Sequence, residues 1–388
     1  MDLKVVTGIA ESSECIPAWP LVPSECMVVR YRQEAVEHMS TASSSAEERR
    51  KVGGLVVRLA SLVAWILWGI LLIGTTVWGA AALWIDGPTG RWAAGSLASL
   101  FVALCVALPF LVRRSRWMRF LSMLPFVAIL GWWLSIPPSN DRDWSADVSR
   151  LPRAEIDGSK VTIHNVRSFE YRTETDYTEH WETRAYDLDL LDGVDLFLSF
   201  WGPALYGHTI MSWEFSDGQH LAVSIETRKE KGESYSAVRG FFRQYELYYV
   251  VADERDLVGV RTNHRGEEVY LYRMKTRSDE PRALLMQYLN QINRLAKRPH
   301  WYNALTYNCT TSIFHNLKVV APSRHWDWRL VANGYLPDLA YERGNINTSM
   351  PLEALRKRSL ISEAAKQADA TPDFSRRIRE GLPGRPAE

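Results

Sequence analysis

Cys309 is the residue of this chain best placed to do chemistry. It lies in Trp301–Leu317, which reads Trp-Tyr-Asn-Ala-Leu-Thr-Tyr-Asn-Cys-Thr-Thr-Ser-Ile-Phe-His-Asn-Leu. Asn308 is a favoured N-cap residue and an apolar run follows, so the spacing predicts a helix that starts at Cys309. A thiol in the first turn sits at the positive end of the helix dipole, which favours the nucleophilic thiolate. The plainer alternative is a small inert cysteine buried behind a capping Asn.

A cysteine nucleophile needs a base to take its proton and a third group to orient that base. His208 follows the turn Trp201–Gly207 and opens a strand. The return strand, reached through the hairpin turn Asp217-Gly218, carries Glu226 near its far end, where a carboxylate would orient an imidazole. Each has an ordinary alternative: a strand-edge histidine with a satisfied hydrogen bond, and a solvated glutamate. His220, His300, His315 and His325 are rival bases. His315 is six positions past Cys309, so on a helix it points away from the thiol, and His300 precedes a loop.

Composition narrows the classes. The 388 residues carry a net charge of +1, which gives no basic excess for nucleic acid. There are four cysteines. Cys15 and Cys26 lie in the N-terminal extension and Cys105 in an apolar span, so Cys309 stands alone in the polar part. No CxxC pair is present, and neither a metal site, a cofactor nor a disulfide framework is expected there.

Residues 1–50 have no clear period and are broken by Pro17, Pro20 and Pro23. They read as disordered, or as an over-extended start before Met27 or Met39. Residues 51–136 form a membrane anchor with three expected spans: Leu59–Trp84, Trp92–Val112 and Phe120–Ile136. Each approaches or exceeds the ~20 residues that cross about 30 Å of hydrocarbon, with the third the shortest and interrupted by Pro125. Trp78, Trp84, Trp92, Trp132 and Trp133 lie near the span ends, as interface anchors do.

Residues 137–160, opened by Pro137-Pro138-Ser139-Asn140, read as a linker. Residues 161–350 form the domain that holds Cys309 and His208. Period-two patterning marks strands at Val161–His164, Trp181–Leu190, Val194–Trp201, His208–Phe215, Gln219–Thr227, Tyr245–Val251 and Glu268–Met274. Tyr171–His180 reads as a hairpin tip and Ser236–Gln244 as a short helix. Pro281–Arg298 has the apolar spacing of an amphipathic helix. Residues 351–388 read as a helical extension, with helices at Leu352–Ala368 and Phe374–Gly381.

Gly207-His208 opening a strand, with Tyr302-Asn303, Tyr307-Asn308-Cys309 and Thr310-Thr311 leading into a helix, resembles the Lnb N-terminal periplasmic domain family. The resemblance covers roughly Val161–Val320. It implies an α+β fold, a permuted papain-like cysteine domain of the NlpC superfamily in which His precedes Cys, with an antiparallel sheet packed on helices. Lecithin:retinol acyltransferase belongs to the same branch, and Lnb itself is a lipoprotein N-acyltransferase. By that resemblance Cys309 is nucleophile, His208 base and Glu226 the polar third residue.

The implied chemistry is attack of the Cys309 thiolate on an ester or amide carbonyl to give an acyl-enzyme. Donors at the helix N-terminus, with the Asn308 side chain, would hold the developing oxyanion. His208 would accept the thiol proton and return it to the leaving group. Trp301, Tyr302, Tyr307, Asn308 and Thr310 would line the substrate site; Phe314, on the helix, reads as core. Three classes compete. A membrane-anchored acyltransferase acting on lipid or lipoprotein suits the anchor and the 16 Trp, 16 Tyr and 12 Phe. A cysteine amidase or peptidase of cell-wall peptides would need a wet polar groove instead. A non-catalytic membrane scaffold would need neither Cys309 nor His208.

Arg49, Arg50, Lys51 and Arg58 precede the first span, and Arg113, Arg114, Arg116 and Arg119 fill the loop before the third. The outer loop between them has Arg91 alone. The positive-inside rule puts the N-terminus in the cytoplasm and everything after Ile136 outside it, in the periplasm of a bacterial inner-membrane protein. A reporter that is active only outside the cytoplasm, fused after Glu388, is expected to be active; activity of a cytoplasm-only reporter there overturns the orientation.

Overall fold

The computed structural model describes residues 24–88, 90–111, 118–275, 279–369 and 371–386. The side chains of 24–48, 118 and 119 lie outside that description, as do the expectations for residues 1–23, for Arg113, Arg114 and Arg116, and for the Arg119 side chain. Residues through Gly74 form one compact unit and residues from Thr75 another.

The helices and strands, in chain order, begin with α1 (Ser24–Ile85), α2 (Arg91–Leu111) and α3 (Leu124–Ser135). Strands β1 (Arg153–Asp157), β2 (Lys160–Arg167), β3 (Glu170–Tyr171), β4 (Tyr177–Thr178) and β5 (Trp181–Asp187) follow. Next come β6 (Leu191–Phe200), β7 (His208–Phe215), β8 (His220–Arg228) and β9 (Glu246–Ala252). Then come α4 (Glu254–Gly259), a π-helical turn Val260–His264, β10 (Glu268–Arg273), α5 (Glu280–Lys297) and α6 (Cys309–Val320). The chain continues with α7 (Leu336–Glu342), α8 (Leu352–Ser359), α9 (Ser362–Ala368) and α10 (Phe374–Arg377).

Among the described residues, two helices are long and apolar enough to cross a membrane, Arg49–Ile85 within α1 and α2. The third expected span, Phe120–Ile136, is shorter. A 3-10 stretch occupies Met118–Met123, and Pro125 fixes the α-helix start beside it. The α-helix proper then rises about 18 Å at 1.5 Å per residue, short of ~30 Å. Helix α1 is also longer than its apolar span: the backbone is helical from Ser24, through residues read as irregular.

Seven strands form the path β1-β2-β9-β8-β7-β6-β10, and β5 pairs with β2 beside it. Every pairing is antiparallel except β2 with β9, which meet in parallel at Arg167 and Ala252. The alternation of β7 explains the two layers around the sheet, since successive side chains point to opposite faces. Met211, Trp213 and Phe215 go to the core shared with α5 and α6. Ile210 goes to the core shared with α4, α9 and α10.

Residues 137–160 are not a free linker. Asn140 donates to Leu295 O and Ala296 O, Arg142 pairs with Glu246 at 3.0 Å, and Ser139 N donates to the same carboxylate. β1 lies within the same stretch. The anchor is tied in as well. The Asp86 carboxylate accepts from Trp133 Nε1 at 2.7 Å, Gln244 Nε2 at 2.6 Å and Arg243 N at 3.2 Å. Trp301 Nε1 donates to Ile136 O at 3.1 Å. The Arg228 end of β8 and the Glu246 end of β9 are therefore the sheet end that meets the anchor.

The expected helix Leu352–Ala368 is divided. Leu360 bridges to Tyr270 and Ile361 N donates to Val269 O, so the chain leaves the helix to satisfy the open edge of β10. Beyond it, the C-terminal residues close a buried acidic cluster. Arg379 binds Asp195 at 2.9 Å and Glu254 at 2.7 Å; Arg385 binds Asp195 at 2.8 Å and Glu214 at 2.6 Å. A Cβ at Gly193 would lie 2.4 Å from the Arg385 guanidinium carbon, so that position admits only glycine without a shift. Burial pushes the Glu254 carboxyl up, but Arg379 and then His220 outweigh it and hold the group at about 2.

Removing one partner of a buried ion pair leaves the other charge uncompensated, at about 3–5 kcal/mol. Arg379→Ala is expected to lose about that much stability in urea unfolding at pH 7. Without the guanidinium, burial dominates at Glu254 and raises its folded-state pKa above the unfolded value, so the deficit shrinks as the pH is lowered and that carboxyl protonates. A loss below about 1 kcal/mol, or one independent of pH, contradicts the clasp.

Candidate functional site

α6 starts at Cys309 because of its cap. Asn308 Oδ1 accepts from Thr310 N at 2.9 Å and Thr311 N at 2.8 Å, and Thr311 Oγ1 accepts from Asn308 N, a closed capping box. The rest of the Asn308 side chain is also engaged, with Nδ2 donating to Ala304 O at 2.8 Å. Asn308 therefore caps and positions the helix start, with its Oδ1 and one of its two amide N–H groups engaged. Cys309 is a free, half-buried thiol at the first helical position, where its own N–H has no intrahelical acceptor.

Asn333, which no motif singles out, joins the helix to the strand that carries His208. Its Oδ1 accepts from Gly207 N at 2.7 Å and its Nδ2 donates to Gly207 O at 2.6 Å, so one side-chain amide holds both sides of that residue. The same Nδ2 reaches Thr310 Oγ1 at 2.7 Å and lies 3.9 Å from Cys309 Sγ. Thr209 and Thr310 hydroxyls meet at 3.3 Å. A short turn after an aromatic, irregular stretch offers no periodic signal, which is why Asn333 was missed.

His208 does not hydrogen-bond to Cys309. It faces away from Thr209, with Nε2 2.6 Å from Ser224 Oγ and 3.6 Å from Glu226 Oε1. The Ser224 hydroxyl donates to Glu226 at 2.7 Å. Glu226 is also bound by Arg261 at 3.2 Å, and Arg261 binds Glu267 at 3.1 Å, where Ser199 donates as well. Burial pushes Glu226 up, but Arg261, then His208 and Arg167, hold its carboxyl well below the usual range. A carboxylate can only accept, so Ser224 spends its single proton on Glu226 and His208 must donate from Nε2. Nδ1 is then the basic nitrogen. Burial lowers the imidazole to about 3, with Arg261 and Arg265 adding to that and Glu226 opposing it. His208 is thus neutral at physiological pH.

The two halves share a neighbourhood. Burial and then the Cys309 sulfur push the Tyr302 phenol well above its usual range, and Glu226 contributes to the same shift. Arg261 also feels Cys309. Tyr302 bonds to Tyr235. The remaining expected residues divide. Trp301 belongs to the joint with the anchor, between the guanidinium groups of Arg142 and Arg243. Tyr307 is half-exposed and lies between His300 and His315. His220 sits 3.9 Å from Glu214 at the far end of the sheet, and exposed His325 is beside Arg324. Thr310 and Phe314 line an apolar cavity of about 110 Å³ behind α6, with Met211, Ile313, Leu317 and Leu339. That cavity extends to Val194 and Lys275, the sheet end opposite the anchor. An apolar path from Cys309 toward the bilayer therefore does not run through this space.

Residues 177–334 match the family model of the Lnb N-terminal periplasmic domain. The match supports the family that the motifs around His208 and Cys309 resemble. The match takes in His208, Glu226, Arg261, Cys309 and, at its end, Asn333; β1, β2 and the C-terminal clasp lie outside it. No curated protein and no solved structure matches the chain. The Lnb-type domain and the apolar helices ahead of it fit a membrane-anchored protein with a periplasmic domain.

The site carries a sign-definite pH behaviour. Between about pH 6.5 and 3 the unfolded chain takes up a proton that folded His208 refuses, so this group removes stability as the pH falls through that window. Arg261→Gln removes a cation and leaves Glu226 to attract the imidazolium, so the His208 midpoint is expected to move up toward the ordinary histidine value. Titration of ¹³C-labelled histidine by NMR reads this; an unchanged midpoint means that burial alone sets it.

Proposed function

We propose that this protein is a membrane-anchored thiol acyltransferase acting on lipid or lipoprotein at the periplasmic face of the inner membrane, with its N-terminus in the cytoplasm. Cys309 is the nucleophile, His208 the base and Glu226, through Ser224, the group that orients the base. The observation that carries the reading is the Asn333 clamp: one side chain lies against the Cys309 sulfur and holds both backbone groups of the residue before His208. The His-before-Cys order fits a permuted papain-like arrangement.

In the reaction, Cys309 Sγ attacks the acyl carbonyl and His208 Nδ1 takes the thiol proton. At rest His208 lies on the strand face turned away from Thr209 and α6, so the transfer requires the imidazole to turn toward the sulfur or water to relay the proton. The Cys309 N–H, at the helix N-terminus, is the donor that faces the developing oxyanion, with the Asn308 amide beside it. The ester C–O bond breaks, the leaving alkoxide takes the proton from His208, and a thioester remains. An acceptor amine then attacks the thioester and Cys309 leaves as thiolate; the amine's proton passes to His208. Water in place of the amine gives hydrolysis. Trp301, eight positions before Cys309, is bound to the end of α3, which favours a substrate taken from the bilayer over a soluble wall peptide.

Purified protein incubated in detergent with a diacyl lipopeptide or phospholipid is expected to show an acyl adduct on Cys309 by mass spectrometry. Cys309→Ser should abolish the thioester, and His208→Ala should slow its formation by about 10²–10⁴-fold, the usual scale of general-base catalysis. His300→Ala should leave it near the parent rate. Cleavage of a muropeptide that depends on Cys309, with no lipid adduct, overturns transfer in favour of an amidase; a stronger effect of His300→Ala than of His208→Ala reassigns the base.

A further inference from the structure

We infer that the rim of loops beside Cys309 lies in the headgroup–acyl boundary of the leaflet facing the domain, so that a lipid reaches the sulfur without leaving the bilayer. Two loops form the rim. Residues 229–245 expose Tyr235, Val238 and Phe241, at 52%, 62% and 39%; residues 302–308 expose Leu305 at 53%. Single exposed hydrophobic residues are common and mean little, whereas a contiguous group marks an interaction surface. The four are carried by adjoining loops, because Ala304 N donates to Gly240 O at 2.8 Å and Tyr302 packs under Gly240.

What covers them follows from continuity with the anchor. The residues that come next in the first loop, Phe242 and Arg243, already lie on the anchor's aromatic belt. Phe242 stacks with Trp78 at 6.4 Å, and the Arg243 guanidinium lies 4.4 Å from the centre of the Trp133 ring. Tryptophan and arginine at the end of an apolar helix mark the level of the membrane interface. Five residues of chain span at most about 18 Å, so Val238 cannot be far from that level. The charges on the loop do not oppose this: Arg239 is neutralised within it by Glu233, with Gln244 as second acceptor, and Lys231 pairs with Asp143. An amphipathic rim with its charges internally paired fits a lipid interface, in which apolar side chains bury a few ångströms below the headgroups.

This surface deepens the acyl-transfer reading by supplying the route of the substrate. It rests on the anchor contacts alone, and its test needs no turnover. The full chain, with its four cysteines replaced by serine or alanine, is reconstituted in vesicles of phosphatidylethanolamine and phosphatidylglycerol. A nitrobenzoxadiazole label is placed by Val238→Cys or Leu305→Cys and, as the control, by Gln219→Cys at the exposed hairpin tip on the opposite end of β7 and β8. Lipids spin-labelled near the headgroup are expected to quench positions 238 and 305 at least about threefold more than 219, with a blue-shifted emission, as for side chains seated 5–10 Å into an interface. Equal quenching at all three positions, with water-like emission at 238 and 305, overturns the proposal and leaves the rim to a protein partner. Either result stands whether or not an acyl adduct forms on Cys309.

Discussion

Four hydrogen-bonding atoms decide where this site can be: the two ends of the Asn333 amide and the N–H and C=O of Gly207. A buried amide that is fully paired fixes its surroundings, because each alternative leaves a polar group unsatisfied at a cost of about 1–3 kcal/mol. The amide also binds Thr310, so the start of α6 cannot slide along the sheet without breaking the grip on Gly207. Position at Cys309 and position at His208 are therefore one constraint. The capping box at Asn308 does the complementary task within the helix, setting which residue comes first.

Around that constraint the charges are arranged in a buried chain. Ser199 and Arg261 meet at Glu267, Arg261 and Ser224 meet at Glu226, and Ser224 meets His208. Each carboxylate has at least two donors, which ties the row together. Its terminal member is the neutral imidazole, whose free nitrogen is fixed by the proton inventory of its neighbours. Arg261 lies on a π-helical turn, the kind of irregular helix that often occurs at functional sites.

Much of this was legible in the sequence, and for identifiable reasons. Strands β2 and β5 to β10 announced themselves through alternation, because each has neighbours that demand a polar or apolar face. The cap at Asn308 is a local signal and was read locally. β1, α4 and the π-helical turn were not, since elements of five or six residues carry too little period. The partners of Trp301 and Asn308 were invisible for a common cause: Ile136 and Ala304 are chosen by tertiary packing or by a loop. The direction of the His208 ring was likewise invisible, because alternation fixes which residues share a face but not which face meets α6.

The acidic cluster at the far end of the sheet has a consequence for biogenesis. Asp195 and Glu214 are laid down early in the domain, whereas Arg379 and Arg385 come after every strand and after α5 and α6. Arg273 on β10 reaches both carboxylates, so they meet a cation as soon as the sheet is complete. Glu254 is different: its ion-pair partner is Arg379, so a fragment that stops before the last helix keeps that carboxylate buried without its cation.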